Sequence, residues 1–333
     1  MRTKLLLIAL SLCVLTATTT AQDQRSKSAT RRQVAVTFDD LPSQPSSVPS
    51  NDVPRLRDVT TKLLKTLTSN HIPAIGFVNE GKLYRFNGEL DPQRVGVLKM
   101  WLDAGLELGN HTYSHPYFYE MPLAKFQANV IEGEKVTRTL LSGKGMKLRY
   151  FRHPFLNTGP NLETKRAFEK FLAARGYRVA PVTIDNMEWI FAGVYAKAMQ
   201  KGDGETARRV ADAYVSYMDE VFAFYEKLSR DTLGYEVPQI LLVHANTLNA
   251  DHFDRIVEMM KSRGYEFITL DEALKDKAYN LPDTYTGPVG ISWLQRWAIS
   301  RGGEFRKEPY LPPFMRPFDH WSASRSDYKT ERE

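Results

Sequence analysis

Apolar and other residues alternate through "QVAVTF" (33–38), which predicts a buried strand. The next segment, "PRLRDVTTKLLKTLTSN" (54–70), changes period. Leu56, Val59, Leu63, Leu64 and Leu67 fall on one face of a helix. "IPAIGFV" (72–78) returns to a strand. "DPQRVGVLKMWLDAG" (91–105) opens with aspartate as N-cap and proline at the first helical position, and it ends on Gly105. Gly176 in "AARGYRVAPVTID" and Gly264 in "KSRGYEFITL" can each take the left-handed turn that stops a helix, and a β-rich run follows at once. "TLDE" (269–272) reads as a capping box for a last helix. Roughly seven strand–helix alternations between 33 and 280 predict an α/β fold of parallel βα units, sheet or barrel.

Two stretches depart from this rhythm. Residues 190–235 are longer and more helical than a crossover needs, and "ARRVADAYVSYMDEVFAFYEKL" (207–228) carries aromatics at helical spacing, which predicts packing against the barrel rather than a sugar-stacking surface. Residues 281–333 shift to Pro, Gly and Trp. They predict an extended arm with a short helix near Trp293 and Trp297, ending in a polar tail. Trp293, Trp297 and Trp321 are expected to anchor the arm rather than stack on sugars.

The N-terminus has its own pattern. Arg2 and Lys4 precede an apolar run from Leu5 to Ala17, and Thr19 and Ala21 supply small residues for cleavage before Gln22. Residues 1–21 therefore read as a signal peptide directing export to the periplasm or the exterior, and 22–32 as a flexible leader. The run is shorter than the ~20 residues of a spanning helix, so no membrane span is expected after cleavage. Cys13 is the only cysteine, which rules out a disulfide in the mature chain. Leu12 before it is too large for a lipoprotein cleavage site. The chain's 333 residues, 42% of them hydrophobic, suffice for one large α/β domain or for two smaller ones. The formal charge is +6, two of it from Arg2 and Lys4, and no basic run interleaves with aromatics, so nucleic acid is not an expected partner.

Chemistry-bearing residues gather where strands end. "VAVTF" runs into Asp39 and Asp40, and two adjacent carboxylates need a cation or hydrogen bonds if both are buried. Alone, such a pair is usually just a solvated turn, but catalytic groups of βα barrels cluster at the carboxyl ends of strands. "GNHTYSHP" (109–116) places His111 and His115 after the short strand "LELGN", and Pro116 disfavours a continuing helix. Either this is a polar turn, or both imidazoles face one ion. Two imidazoles and a carboxylate suit zinc or a similar divalent ion. "YFRHPFL" (150–156) brings Arg152, whose forked cation can hold a carboxylate, with His153 as a neighbour rather than a ligand. Asp185, followed by Trp189, ends one strand and His244 ends the next. An aspartate partner would raise the pKa of that histidine and make it an acid.

Taken in order, "TFDD", "HTYSH", "RHPF", "DNMEW" and "LLVHAN" resemble the five motifs of the polysaccharide deacetylases, the NodB-homology or carbohydrate esterase family 4 group. The resemblance spans about residues 33 to 275. It implies a distorted (β/α) barrel of about seven strands, with a catalytic domain over 33–280 and the arm and tail over 281–333. Carried over position by position, it makes Asp40, His111 and His115 ligands of one divalent metal ion, zinc first, with cobalt, nickel or manganese as alternatives. Asp39 becomes the general base, Arg152 its orienting partner, His244 the general acid and Asp185 the group that tunes it. The main-chain N–H at Phe155, where the family often has tyrosine, helps bind the oxyanion, and Trp189 lies beside the substrate. Glu188 stands before the tryptophan where the family often has aspartate. The implied function is an exported N-deacetylase of an N-acetylated glycan, such as peptidoglycan or a poly-N-acetylhexosamine, that releases acetate. The alternatives are the same site acting on another amide or an acetyl ester, and a non-catalytic glycan-binding module.

Overall fold

The computed structural model describes residues 32–318. The expected signal peptide, residues 22–31 of the leader, Trp321 and the polar tail lie outside the described residues. Seven strands form one parallel sheet: β1 (Arg32–Leu41), β2 (Ile75–Val78), β3 (Glu107–Asn110), β4 (Tyr150–Phe151), β5 (Arg178–Val179), β6 (Gln239–His244) and β7 (Tyr265–Phe267). Helices α1 (Val53–Ser69), α2 (Pro92–Asp103), α3 (Leu123–Glu132), α4 (Lys135–Ser142) and α5 (Leu162–Ala174) connect the first five strands. Then come α6 (Glu188–Gln200), α7 (Gly204–Leu233), α8 (Thr247–Ser262), α9 (Leu270–Ala273) and α10 (Trp293–Ser300).

The strand order β5-β4-β3-β2-β1-β6, with β7 on β1, curls into the expected distorted barrel. Arg32, expected in the flexible leader, instead opens β1. Its guanidinium pairs with Glu236 at 2.6 Å and Glu226 at 3.3 Å. The alternation read in β1 is real. Val34, Val36 and Phe38 pack under the helix layer, while Ala35 joins Ile75, Phe77, Tyr150 and Ile240 in the barrel interior. Period-two geometry carries that interior face on through Thr37 to Asp39.

The caps behave as their residues predict. Asp91 accepts a hydrogen bond from the Gln93 N–H, and Thr269 and Glu272 close the expected capping box. Gly105, Gly176 and Gly264 have φ of 77°, 77° and 81°, the left-handed turns anticipated after α2, α5 and α8. Most aromatics of α6 and α7, including Tyr214, Phe222 and Tyr225, are buried, as packing requires.

One strand is shorter than its sequence suggests. Of "VAPVTID", only Val179 belongs to a strand, and a single bridge from Ile184 to Leu241 carries the ring toward β6. Pro181 has no N–H to give a ladder. The C-terminal arm supplies the missing partners. Trp293 N–H donates to Val182 O at 2.7 Å, and Ser292 Oγ donates to Thr183 O at 2.7 Å. Trp293 and Trp297 are 8% and 1% exposed, so they anchor the arm.

Candidate active site

Asp39 leaves β1 on its interior face and is buried. Arg152, at the end of β4, donates from Nη1 to both carboxylate oxygens at 2.9 and 3.1 Å. The rest of the guanidinium is held by Thr37 Oγ1 and Ala180 O, and it lies 4.6 Å over the Phe77 ring. Burial pushes the Asp39 carboxyl up to about 6 against the opposing pull of Arg152 and His244, which poises it to take up a proton near neutrality.

Asp40 would face the opposite way if β1 continued regularly, but its φ is 70°, and this left-handed step turns its carboxylate to the same mouth. There Oδ1 stands 3.9 Å from His111 Nε2 and 3.7 Å from His115 Nε2. The loop that delivers the histidines is held from within. Asn110 Oδ1 accepts from Thr112 N–H at 2.7 Å, and Thr112 Oγ1 accepts from His115 N–H at 3.1 Å. His111 Nδ1 lies 2.8 Å from Arg152 O, which assigns the proton to Nδ1 and leaves Nε2 as a lone-pair donor toward Asp40. Burial lowers the pKa of both imidazoles, so they are neutral donors at neutral pH.

The three donor atoms lie within 4.8 Å of one another. Asp40 Oδ1 is buried and accepts no well-formed hydrogen bond. A buried carboxylate oxygen without a well-formed hydrogen bond, facing two imidazole nitrogens, fits a divalent cation. Of the six non-glycine residues with positive φ among those described, five belong to this site: Asp40, Thr112, His115, Phe155 and Leu156. Backbone strain of about 1–3 kcal/mol each is tolerated where surroundings fix the geometry.

Gly133, after α3, lets the histidine loop sit against it. A Cβ there would lie 2.4 Å from the Thr112 carbonyl carbon. Gly133→Ala is therefore expected to cost about 2 kcal/mol through overpacking, read as a lowered midpoint in thermal denaturation. An unchanged midpoint would contradict that close approach.

His244, at the end of β6, pairs in register with Asp39 on β1. The carboxylate bonded to its ring is that of Glu188, where Asp185 was expected. Glu188 Oε2, fully buried, lies 2.8 Å from His244 Nδ1. Asn249 and Asn246 donate to the other oxygen of Glu188, the former at 2.7 Å. Burial alone would lower the His244 pKa, but the Glu188 carboxylate and its hydrogen bond outweigh it and raise the value to about 9. Asp185 instead lines the pocket and caps its own turn through Asn186 N–H at 2.9 Å. The helices of 188–233 support the His244–Glu188 pair. Tyr217 Oη accepts from Met187 N–H at 3.1 Å, and Tyr214 Oη donates to Asn249 at 2.8 Å.

Lys82, in the turn after β2, was not anticipated. Its Nζ donates to Asp40 O at 3.0 Å and Ser43 O at 3.1 Å, and it lies 3.3 Å from Asp40 Oδ1. Burial lowers its pKa, whereas Lys82, with the histidines, holds the Asp40 carboxyl well below the usual carboxylate range despite its burial. Nothing in a lone lysine after a strand marks it in sequence.

These groups open on a pocket of about 260 Å³ whose apolar walls include Phe155, Leu156, Met187 and Trp189. His153, as expected, is no part of the donor set and packs against Phe151 and Phe168. Among the described residues no helix is long and apolar enough to cross a membrane.

Residues 26–175 match the sequence model of a family described as polysaccharide deacetylase. The chain is 22% identical over 246 residues to a peptidoglycan-N-acetylglucosamine deacetylase of Bacillus cereus, covering 72% of this chain and 67% of that one. It is 22% identical over 253 residues to the peptidoglycan-N-acetylglucosamine deacetylase PgdA of Listeria monocytogenes, where it spans 75% of this chain and only 41% of the relative. A chitin deacetylase of Colletotrichum lindemuthianum is 23% identical over 247 residues, 74% of this chain and 81% of that one.

Proposed function

We propose that the chain, whose residues 26–175 match the polysaccharide deacetylase model, is an exported, metal-dependent N-deacetylase of an N-acetylated glycan, releasing acetate. The observation that carries this reading is the pairing of Asp39 with His244 across one barrel mouth, with Asp40, His111 and His115 beside them. Asp40, His111 and His115 would hold one divalent ion, zinc first by donor set and then cobalt, nickel or manganese, which when bound supplies Lewis acidity.

Asp39, kept in place by Arg152, takes a proton from the attacking water as its oxygen bonds to the acetamide carbon. The main-chain N–H at Phe155 steadies the developing oxyanion. His244 gives its Nε2 proton to the sugar nitrogen as the C–N bond breaks, so acetate and a free amine leave. Trp189 forms the pocket wall beside the sugar. Relatives named for peptidoglycan and for chitin point to the N-acetylhexosamine unit as the shared requirement. The signal-like residues 1–21 support export, which the N-terminal sequence of the secreted protein would check.

The test is acetate release from peptidoglycan and N-acetylglucosamine oligomers, abolished by a chelator and restored by added zinc. Turnover of acetyl esters alone would replace this reading with an esterase, and glycan binding with no turnover would replace it with a binding module.

The acid sets a pH dependence whose sign is fixed. His244 works protonated, and its raised pKa keeps it so until pH climbs through about 9. Glu188→Gln removes the carboxylate responsible, so the alkaline limb of the rate profile should move to lower pH by about 1 unit or more. NMR titration of the imidazole should move with it. An unmoved limb would take Glu188 out of this role.

A further inference from the structure

The C-terminal arm lies beyond the residues matched by the family model, yet it reaches the pocket wall. Its Arg296 on α10 is fully buried. The guanidinium donates from Nε to Ile291 O at 2.9 Å, from Nη1 to Thr158 Oγ1 at 3.0 Å, and from Nη2 to Leu156 O. Asp283 supplies the counter-charge at 3.3 Å, and the Trp293 ring packs 4.3 Å from the guanidinium carbon. Thr158 and Leu156 belong to the turn after β4 that carries Phe155. That turn holds two successive left-handed non-glycine residues, Phe155 at 53° and Leu156 at 52°. A conformation this unfavourable persists only if neighbours over-determine it. Gly290 of the arm closes on the turn from another side, where a Cβ would stand 1.8 Å from Phe155 O.

We propose that Arg296 is a positioning residue, clamping the Phe155–Leu156 turn from the arm and thereby aiming the main-chain donor that receives the oxyanion. The assignment rests on the deacetylase reading above. Arginine suits the task because one rigid fork reaches a carbonyl of the turn, a hydroxyl two residues on, and a carbonyl of the arm at once. A lysine ammonium has the charge without that geometry. Loosening the turn should act on the transition state rather than on glycan binding, because the oxyanion exists only there.

The experiment compares wild type, Arg296→Met, Arg296→Lys and Gly290→Ala on an N-acetylglucosamine oligomer. It adds calorimetric zinc titration and hydrogen exchange of the 155–158 amides. In Arg296→Met and Gly290→Ala, kcat should fall by tenfold or more, toward the roughly hundredfold cost of an ångström-scale misplacement. KM and zinc affinity should stay within threefold, exchange in the turn should quicken at least tenfold, and Arg296→Lys should recover part of the loss. A kcat within threefold of wild type, a loss confined to KM, or a parallel loss of zinc affinity would each overturn the proposal. If wild type deacetylates no glycan, the functional reading fails instead, and hydrogen exchange alone then decides the clamp, with unchanged exchange counting against it.

Discussion

Asp39→Asn is expected to lower kcat by about 10²- to 10⁴-fold, the range general-base catalysis contributes, while divalent-ion affinity stays within a few-fold of wild type. The separation follows from geometry. Asp39 gives both oxygens to Arg152, whereas the cluster that fits an ion draws on Asp40. An amide in place of Asp39 keeps the shape but cannot take a proton. It also leaves Arg152, fully buried, without its counter-charge, and breaking a buried pair costs about 3–5 kcal/mol. The variant should therefore melt earlier, and its rate belongs at a temperature where it is still folded. Single-turnover acetate release and calorimetric ion titration decide the matter. A variant keeping more than a tenth of the wild-type rate would remove Asp39 from the reaction.

His111→Ala should act through the ion instead. Its ring is fixed by the bond from Nδ1 to Arg152 O, so Nε2 has little freedom to point elsewhere. Losing one of three donors should weaken zinc binding by more than the 10- to 100-fold that follows loss of a mere supporting group. Turnover should drop to background at stoichiometric zinc. His115→Ala should follow the same course, since its Nε2 faces the same oxygen. Undiminished zinc affinity in His111→Ala would show that the ion, if any, is held elsewhere.

That Asp39, Asp40, His111 and His115 converge on one mouth was legible because they lie at or just beyond strand ends. Alternation in β1 settles which way Asp39 points, and a motif order across several strands places its partners around one mouth. Asp185 and Glu188 mark where that reading stops. Two carboxylates three residues apart follow the same strand, and which of them meets His244 depends on how the turn closes. Asn186 closes it, donating to Leu242 O at 2.7 Å and accepting from Glu188 N–H at 3.0 Å, which points the glutamate inward at the start of α6. The length of β5 was hidden for a related reason. Val182 and Thr183 have strand-forming side chains, but their carbonyls are taken by residues more than a hundred positions later. Lys82 and Arg296 act on the site from a connecting turn and from the arm, and neither has a local pattern around it.

β1 also bears on when the molecule can fold. Thr37 Oγ1 bonds Leu241 O across 204 positions of chain, so β1 emerges from the ribosome long before β6, although β2 on its other side follows early. Topologies built on such distant pairings assemble slowly. On the export reading proposed above, that delay would favour passage through a secretion channel in extended form, because β1 cannot gain its β6 and β7 contacts until most of the chain has been made.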